Sequence, residues 1–478
     1  MKRYLYISCL VLISFASCAQ SNEINHDLIN KLDLKNFVEI LASDSLQGRF
    51  TGSEGQKKAA KIIVDRFTEL GLVPFNSNSY FETFKLNQRY WDEVYIKVGN
   101  KTLYNNDKIS YLGHFEQNSE HKVNLVFGGY GTDEELDQID VKDKMVMIFS
   151  KNIRASYYIT SKLENLGAYG VILANPTNEN QFSAIKKSLG RYILRKRLKL
   201  PTEEIYYNQG DFQEFAISNE LIKTLMGKSL KDLMKYTDQN SIKECPLSEI
   251  FVKSEKIYDT IETENVIGII PGKSNKSIII SAHYDHVGGN GEIYYPGADD
   301  NASGTAALLE LAKVYSKTKD LKYNIIFIAT SAEEQGLLGS EYHVNTDNFN
   351  ASNILINLNI DMIGRNDYNY DNTDNYIYTI GTGQYPEFTP FIEIADSLYQ
   401  ECTIDYSLEE SERIPTLYHQ SDQFSFHEKG IPAIFFFSGL HKDYHKPSDV
   451  ADKINFDVLT NRVKLISHLI EVIQNKVK

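Results

Sequence analysis

The sequence predicts an α/β fold, a mostly parallel twisted sheet with helices on both faces, interrupted by an inserted β-rich domain. Three observations carry this. Short continuous apolar runs at 276–282 (KSIIISA), 324–330 (NIIFIAT), 354–360 (ILINLNI) and 433–437 (AIFFF) have the length and texture of strands buried on both faces. Helical apolar spacing alternates with them, at 305–317 and 456–473. Between about 90 and 250 the texture changes to shorter strand-like runs with glycine punctuation.

Taken in chain order, residues 1–17 read as a secretory leader: Lys2 and Arg3 form a basic start, and an apolar stretch too short to span a bilayer follows. Phe15-Ala16-Ser17-Cys18 resembles a lipoprotein cleavage box, so a lipid on Cys18 is the expected membrane contact. The protein is then exported, as a periplasmic or outer-membrane-anchored lipoprotein of a bacterium. Residues 18–90 hold a polar tether and two helices, 28–42 and 55–70, the second stopping at Gly71. Residues 91–255 form the insertion, with strands at 123–127, 145–149 and 171–174. The basic cluster at 186–199 reads as a solvated helix face. Residues 256–478 hold the strand 266–270 and the four runs above.

Composition narrows the function. The 478 residues carry a formal net charge of -14, with a pI near 5.4. Such a surface repels phosphate backbones and excludes nucleic acid as a partner. Beyond Cys9 and Cys18 only Cys245 and Cys402 remain, neither a disulfide framework nor a zinc-knuckle spacing.

The four apolar runs end on metal-ligand chemistry. The first leads into His283 and Asp285, the second into Glu333 and Glu334, the third into Asp361 and the fourth to His445; Asp299-Asp300-Asn301 precedes a helix. Ligands of open α/β sheets gather at the carboxyl ends of strands, so these side chains are expected to meet. Strand alternation places Asp285 on the side of His283, where it accepts the second ring N–H of that imidazole or orients a neighbouring group, and turns His286 away. Adjacent Glu333 and Glu334 repel unless a cation serves one and a catalytic proton the other. Asp300, Glu334 and Asp361 with one hydroxide balance two divalent cations. Imidazoles with carboxylates and no thiolate suit zinc, with cobalt or manganese as alternatives.

These motifs (His283-Tyr284-Asp285-His286, Gly297-Ala298-Asp299-Asp300-Asn301, Glu333-Glu334, Asn359-Ile360-Asp361-Met362, Tyr444-His445-Lys446-Pro447) resemble those of the co-catalytic zinc aminopeptidase family, related to glutamate carboxypeptidase II and glutaminyl cyclases. The resemblance implies two Zn2+, one on His283, Asp300 and Asp361, the other on Asp300, Glu334 and His445. It also implies Glu333 as general base, Asp285 in support of His283, and Tyr418 or Tyr444 near the oxyanion. Ser421-Asp422-Gln423 departs from the family's Ser-Asp-His. The insertion resembles a protease-associated (PA) domain.

The expected function is thus a dizinc aminopeptidase acting on peptides. A carboxypeptidase or dipeptidase on the same site would need a cationic pocket, with Arg365 and Arg413 as candidates. A non-catalytic peptide-binding lipoprotein is the remaining alternative.

Overall fold

The computed structural model describes residues 24–153, 156–186, 196–201, 211–289, 293–409 and 417–477. The leader, Cys18, Arg413 and residues 187–195 of the basic cluster lie outside the described residues. Among the described residues, no helix is long and apolar enough to cross a membrane. The chain divides into two compact units, Met1–Phe84 with Thr263–Lys478, and Lys85–Glu262.

In the first unit the sheet is built on β1 (Ser248–Ile270, whose last residues belong here), β2 (Ser277–His283), β3 (Asn324–Thr330), β4 (Ile354–Ile360), β5 (Tyr376–Ile380), β6 (Thr403–Asp405) and β7 (Ala433–Phe437). Their order is β6-β5-β7-β4-β2-β3-β1. β2 pairs in parallel with β3 and β4, β4 with β7, and β5 with β6. Only the β1–β3 and β5–β7 pairs in this series are antiparallel. The mostly parallel sheet anticipated above is present. Every residue of β2 is buried, because both faces are covered.

One face carries α1 (Lys31–Leu41), α2 (Glu54–Leu70), α3 (Gly304–Ser316) and α7 (Phe456–Lys476), which share a core including Val38, Phe67, Leu308 and Ile466. α2 starts at Ser53, whose hydroxyl accepts from the Gln56 N–H, and stops at Gly71 with φ 72°. α7 buries Leu459, Val463, Ile466, Ile470 and Ile473, one helical stripe. The opposite face carries α4 (Leu338–Val344) and α6 (Gln423–Glu428), where Phe426 packs with Ile279 and Ile328. α5 (Thr389–Leu398) follows β5, and neither is evident in the sequence pattern.

The second unit contains a parallel run of strands, Gln117–Phe127, Met145–Phe149, Gly170–Ala174 and Gln213–Ile217. Leu125, Phe127, Met147, Ile172 and Phe215 form its core. Arg197–Lys199, expected to be part of a helix face, is instead a short strand paired with Asn87–Arg89.

Candidate metal centre

The parallel strands deliver the acidic and imidazole side chains to one end of the sheet. His283 is the last residue of β2 and lies in register with Thr330, the last of β3, so Glu333 and Glu334 come directly after that strand. Asp361 follows the final residue of β4. Asp300 sits before α3 with φ -105° and ψ 95°, outside the helical region. The next residue, Asn301, takes the capping role through its side-chain oxygen, which accepts from the Gly304 N–H at 2.9 Å. That leaves Asp300 for the site.

Two clusters result, sharing Asp300: His283 with Asp300 and Asp361, and His286 with Asp300, Glu334 and His445. His283 Nε2 lies 3.2 Å from Asp361 Oδ1 and 3.4 Å from Asp300 Oδ1. His445 Nε2 lies 3.0 Å from Asp300 Oδ2 and 3.1 Å from Glu334 Oε2. A tetrahedral ion with bonds of about 2.0–2.1 Å separates its donors by roughly 3.3 Å, so both sets fit a cation. Asp300 turns one oxygen to each. The donors are nitrogen and oxygen only, a set that suits zinc, cobalt or manganese. His286 adds a second indication: its ring is fully buried and its Nδ1 faces the buried Glu334 carboxylate at 2.7 Å, which puts another donor nitrogen in the cluster around Asp300.

The electrostatics follow from crowding buried carboxylates. Burial pushes the Glu333 carboxyl well above its usual range, and Asp361, Glu334 and Asp422 push it further against the pull of His283. Burial disfavours a charged His283, yet Asp361, Glu333 and Asp300 raise it well above the ordinary histidine value. His445 is likewise driven up to about 10, burial being outweighed by its contacts with Asp300 and Glu334. For Glu334 burial and Asp300 favour the neutral acid, but His286 and His445 win and bring it to about 2. A site that holds protons this tightly is one that a divalent cation would discharge.

The sequence-derived candidates His283, Asp300, Glu333, Glu334, Asp361 and His445 therefore converge; His286 differs from expectation, and Asp285 takes one of the two roles open to it. His286 does not turn away: its Nδ1 lies 2.7 Å from Glu334 Oε1. β2 ends at His283, so strand alternation no longer governs the residues after it. For the same reason the Asp285 carboxylate is 3.8 Å from His283 Nδ1, which faces the Asp285 main-chain oxygen at 3.2 Å. Asp285 orients neighbouring groups: it accepts from Thr51 Oγ1 at 2.7 Å and from the Glu333 N–H at 3.2 Å.

Of the two tyrosines, Tyr418 is buried with its hydroxyl donating to the Ala433 carbonyl at 2.8 Å. Tyr444 stacks on His445 with ring centroids 3.8 Å apart. Burial and the Asp300, Glu334, Glu333 and Asp361 carboxylates raise its phenol. Gln423, the departure from the family pattern, accepts from Asn359 Nδ2 at 2.8 Å and donates to the Tyr418 carbonyl at 2.7 Å. It supports the wall behind Asp361. Arg365 pairs with Asp443 at 2.9 Å.

Sequence reasoning missed Arg49. Its fully buried guanidinium donates to the carbonyls of Tyr284, Leu41, Pro296 and Gly297, tying the loop before α2 to the segments that carry His283 and Asp300. Asp449 was missed too: its Oδ2 accepts from the Asp299 N–H at 3.0 Å and the Asp300 N–H at 3.2 Å. Several of these loops are strained, with φ of 60° at Ala332 and 52° at His445, a pattern that clusters at functional sites.

Comparison with known proteins agrees with this geometry. Residues 265–470 match the model of Peptidase family M28. The chain is 30% identical over 224 residues, 45% of its length, to a probable leucine aminopeptidase of Arthroderma otae, and spans 58% of that relative's length. The aminopeptidase from Aneurinibacillus sp. strain AM-1 has the same fold (TM-score 0.54, 22% identity, 94% of this chain and 95% of that one). So does a zinc aminopeptidase from Bacillus subtilis (TM-score 0.54, 19% identity, 95% and 97%). The stretch that resembles peptidase family M28, residues 265–470, contains both donor clusters.

Proposed function

We propose that the protein is a dizinc aminopeptidase that hydrolyses the N-terminal residue from peptides. The observation that carries this reading is Asp300, whose two oxygens face His283 on one side and His445 on the other. One ion would be held by His283, Asp300 and Asp361, and the other by Asp300, Glu334 and His445. Bound there, the ions supply Lewis acidity toward a carbonyl and lower the pKa of water.

The chain's own groups do the rest. Glu333, 3.8 Å from His283 Nε2, is placed to accept a proton from water and return it to the leaving amine. Tyr444, beside His445, is placed to donate a hydrogen bond to oxygen as negative charge develops. Arg365 is engaged with Asp443, which disfavours its use as a carboxylate anchor. The unit Lys85–Glu262 is proposed to be PA-like and to help select peptides.

The test is hydrolysis of aminoacyl arylamides and of peptides blocked at either end, with and without chelator. Release from free amino ends only, lost on chelation and restored by zinc, is expected. Glu333→Gln should retain two metal equivalents and lose at least about 100-fold in turnover; full activity in that variant removes Glu333 as the base. Export with a lipid on Cys18 is a separate proposal, checked by fatty-acid labelling of wild type against Cys18→Ala.

A further inference from the structure

We propose a third metal site, away from the peptidase centre, formed by His26, His468 and Glu471. His468 and Glu471 stand three apart on α7, on one face of the helix, and His26 opens the short turn His26–Leu28 that precedes α1. His26 Nε2 lies 2.8 Å from Glu471 Oε2, and His468 Nδ1 lies 3.8 Å from the same oxygen. One donor atom from each of the three residues lies within 4.8 Å of the others. The roughly 3.3 Å spacing of donors around a tetrahedral ion falls between those two separations.

The surroundings favour a cation over a simple hydrogen bond. His26 Nδ1 is engaged with Ser467 Oγ at 2.8 Å, the kind of outer contact that fixes a ligating imidazole and aims its other nitrogen. His468 Nδ1 is buried and has no hydrogen-bond partner. The two imidazoles lie with ring centroids 3.7 Å apart, an arrangement that two protonated rings would resist. Tyr399 stacks on the other side of His468 at 5.4 Å.

The charged groups nearby are Glu471 itself and the Lys464–Asp27 pair at 2.8 Å, which is neutral as a unit. A divalent cation would therefore meet one uncompensated carboxylate. Two imidazoles and a carboxylate, with a fourth position for water, suit zinc, copper(II) or nickel(II). None of these residues belongs to the peptidase centre. The ion would fasten the start of the described chain to the last helix.

The test is zinc stoichiometry by elemental analysis on the full chain, comparing wild type with His468→Ala and with His26→Gln. Each variant should bind one equivalent fewer than wild type while keeping its hydrolytic activity. Zinc should slow proteolytic cleavage near His26 in wild type but not in the variants. Because the readout is a difference between proteins, it holds however many ions the peptidase centre takes. Equal stoichiometry in wild type and His26→Gln, a substitution in the short N-terminal turn that leaves α7 untouched, overturns the proposal. So does zinc protection that persists in either variant.

Discussion

Ser421 donates a hydrogen bond to Asp361 Oδ2 at 2.8 Å while the other oxygen of that carboxylate faces His283 at 3.2 Å. The hydroxyl thus decides which oxygen is presented to a cation. Ser421→Ala should weaken metal binding at that side by about 10- to 100-fold, the usual cost of losing an outer contact to a ligand. Competitive chelator titration measures it, with the unfolding midpoint of the metal-free protein as a control for folding.

His286 makes a second case. With a ring nitrogen 2.7 Å from Glu334 Oε1, it belongs to the site's charge balance even though sequence reasoning set it aside. His286→Ala should lower the affinity of the weaker or the tighter of two metal-binding steps while leaving the other alone. Calorimetric titration resolves this; two unchanged steps would make the ring a bystander.

Arg49 holds four main-chain carbonyls at once. Arg49→Ala leaves those acceptors buried without donors and should cost about 3 kcal/mol or more. Arg49→Lys should recover little, since a single ammonium cannot reproduce the planar fork. Urea unfolding gives both numbers, and a near-neutral Arg49→Lys would show that charge rather than geometry matters there.

Glu214, in the unit Lys85–Glu262, predicts a pH signature. Burial raises its carboxyl from 4.5 to about 7, against a hydrogen bond from Thr160, with Glu164 adding to the rise. The folded chain therefore keeps a proton that the unfolded chain releases. Its contribution to stability is fully present below pH 4.5 and declines as pH rises toward 7. Glu214→Gln should flatten stability over that window relative to wild type, as read from unfolding midpoints at several pH values.

The parts of the architecture that could be read from the chain alone are those where local pattern and tertiary environment coincide. The runs at β2, β3, β4 and β7 are apolar throughout because both faces are covered. β5 and β6 escaped notice because Tyr376, Tyr378 and Asp405 interrupt the apolar texture, although Tyr376 and Tyr378 are buried. The metal candidates were legible because a carboxylate at the end of an apolar strand is costly to bury unless a cation or a proton meets it. His286 was misjudged by extending strand alternation past the point where pairing stops. Arg49 and Asp449 left no local signal, since a charged residue in a polar loop looks solvated until the fold closes over it. Tyr418 and Tyr444 were equivalent in sequence; in the fold the Tyr418 hydroxyl is engaged with the Ala433 carbonyl, while Tyr444 stacks on His445.

The sharing of Asp300 has a further consequence. Its neighbours in the two clusters come from chain segments as far apart as His283 and His445, so the unfolded polypeptide offers nothing comparable for an ion to grip. Uptake must then wait for folding, and every increment of free ion lifts the thermal midpoint of the native state. If the proposed ions are bound, starvation for metal would be felt first as fragility of the unit that holds the two clusters and only afterwards as loss of the proposed turnover.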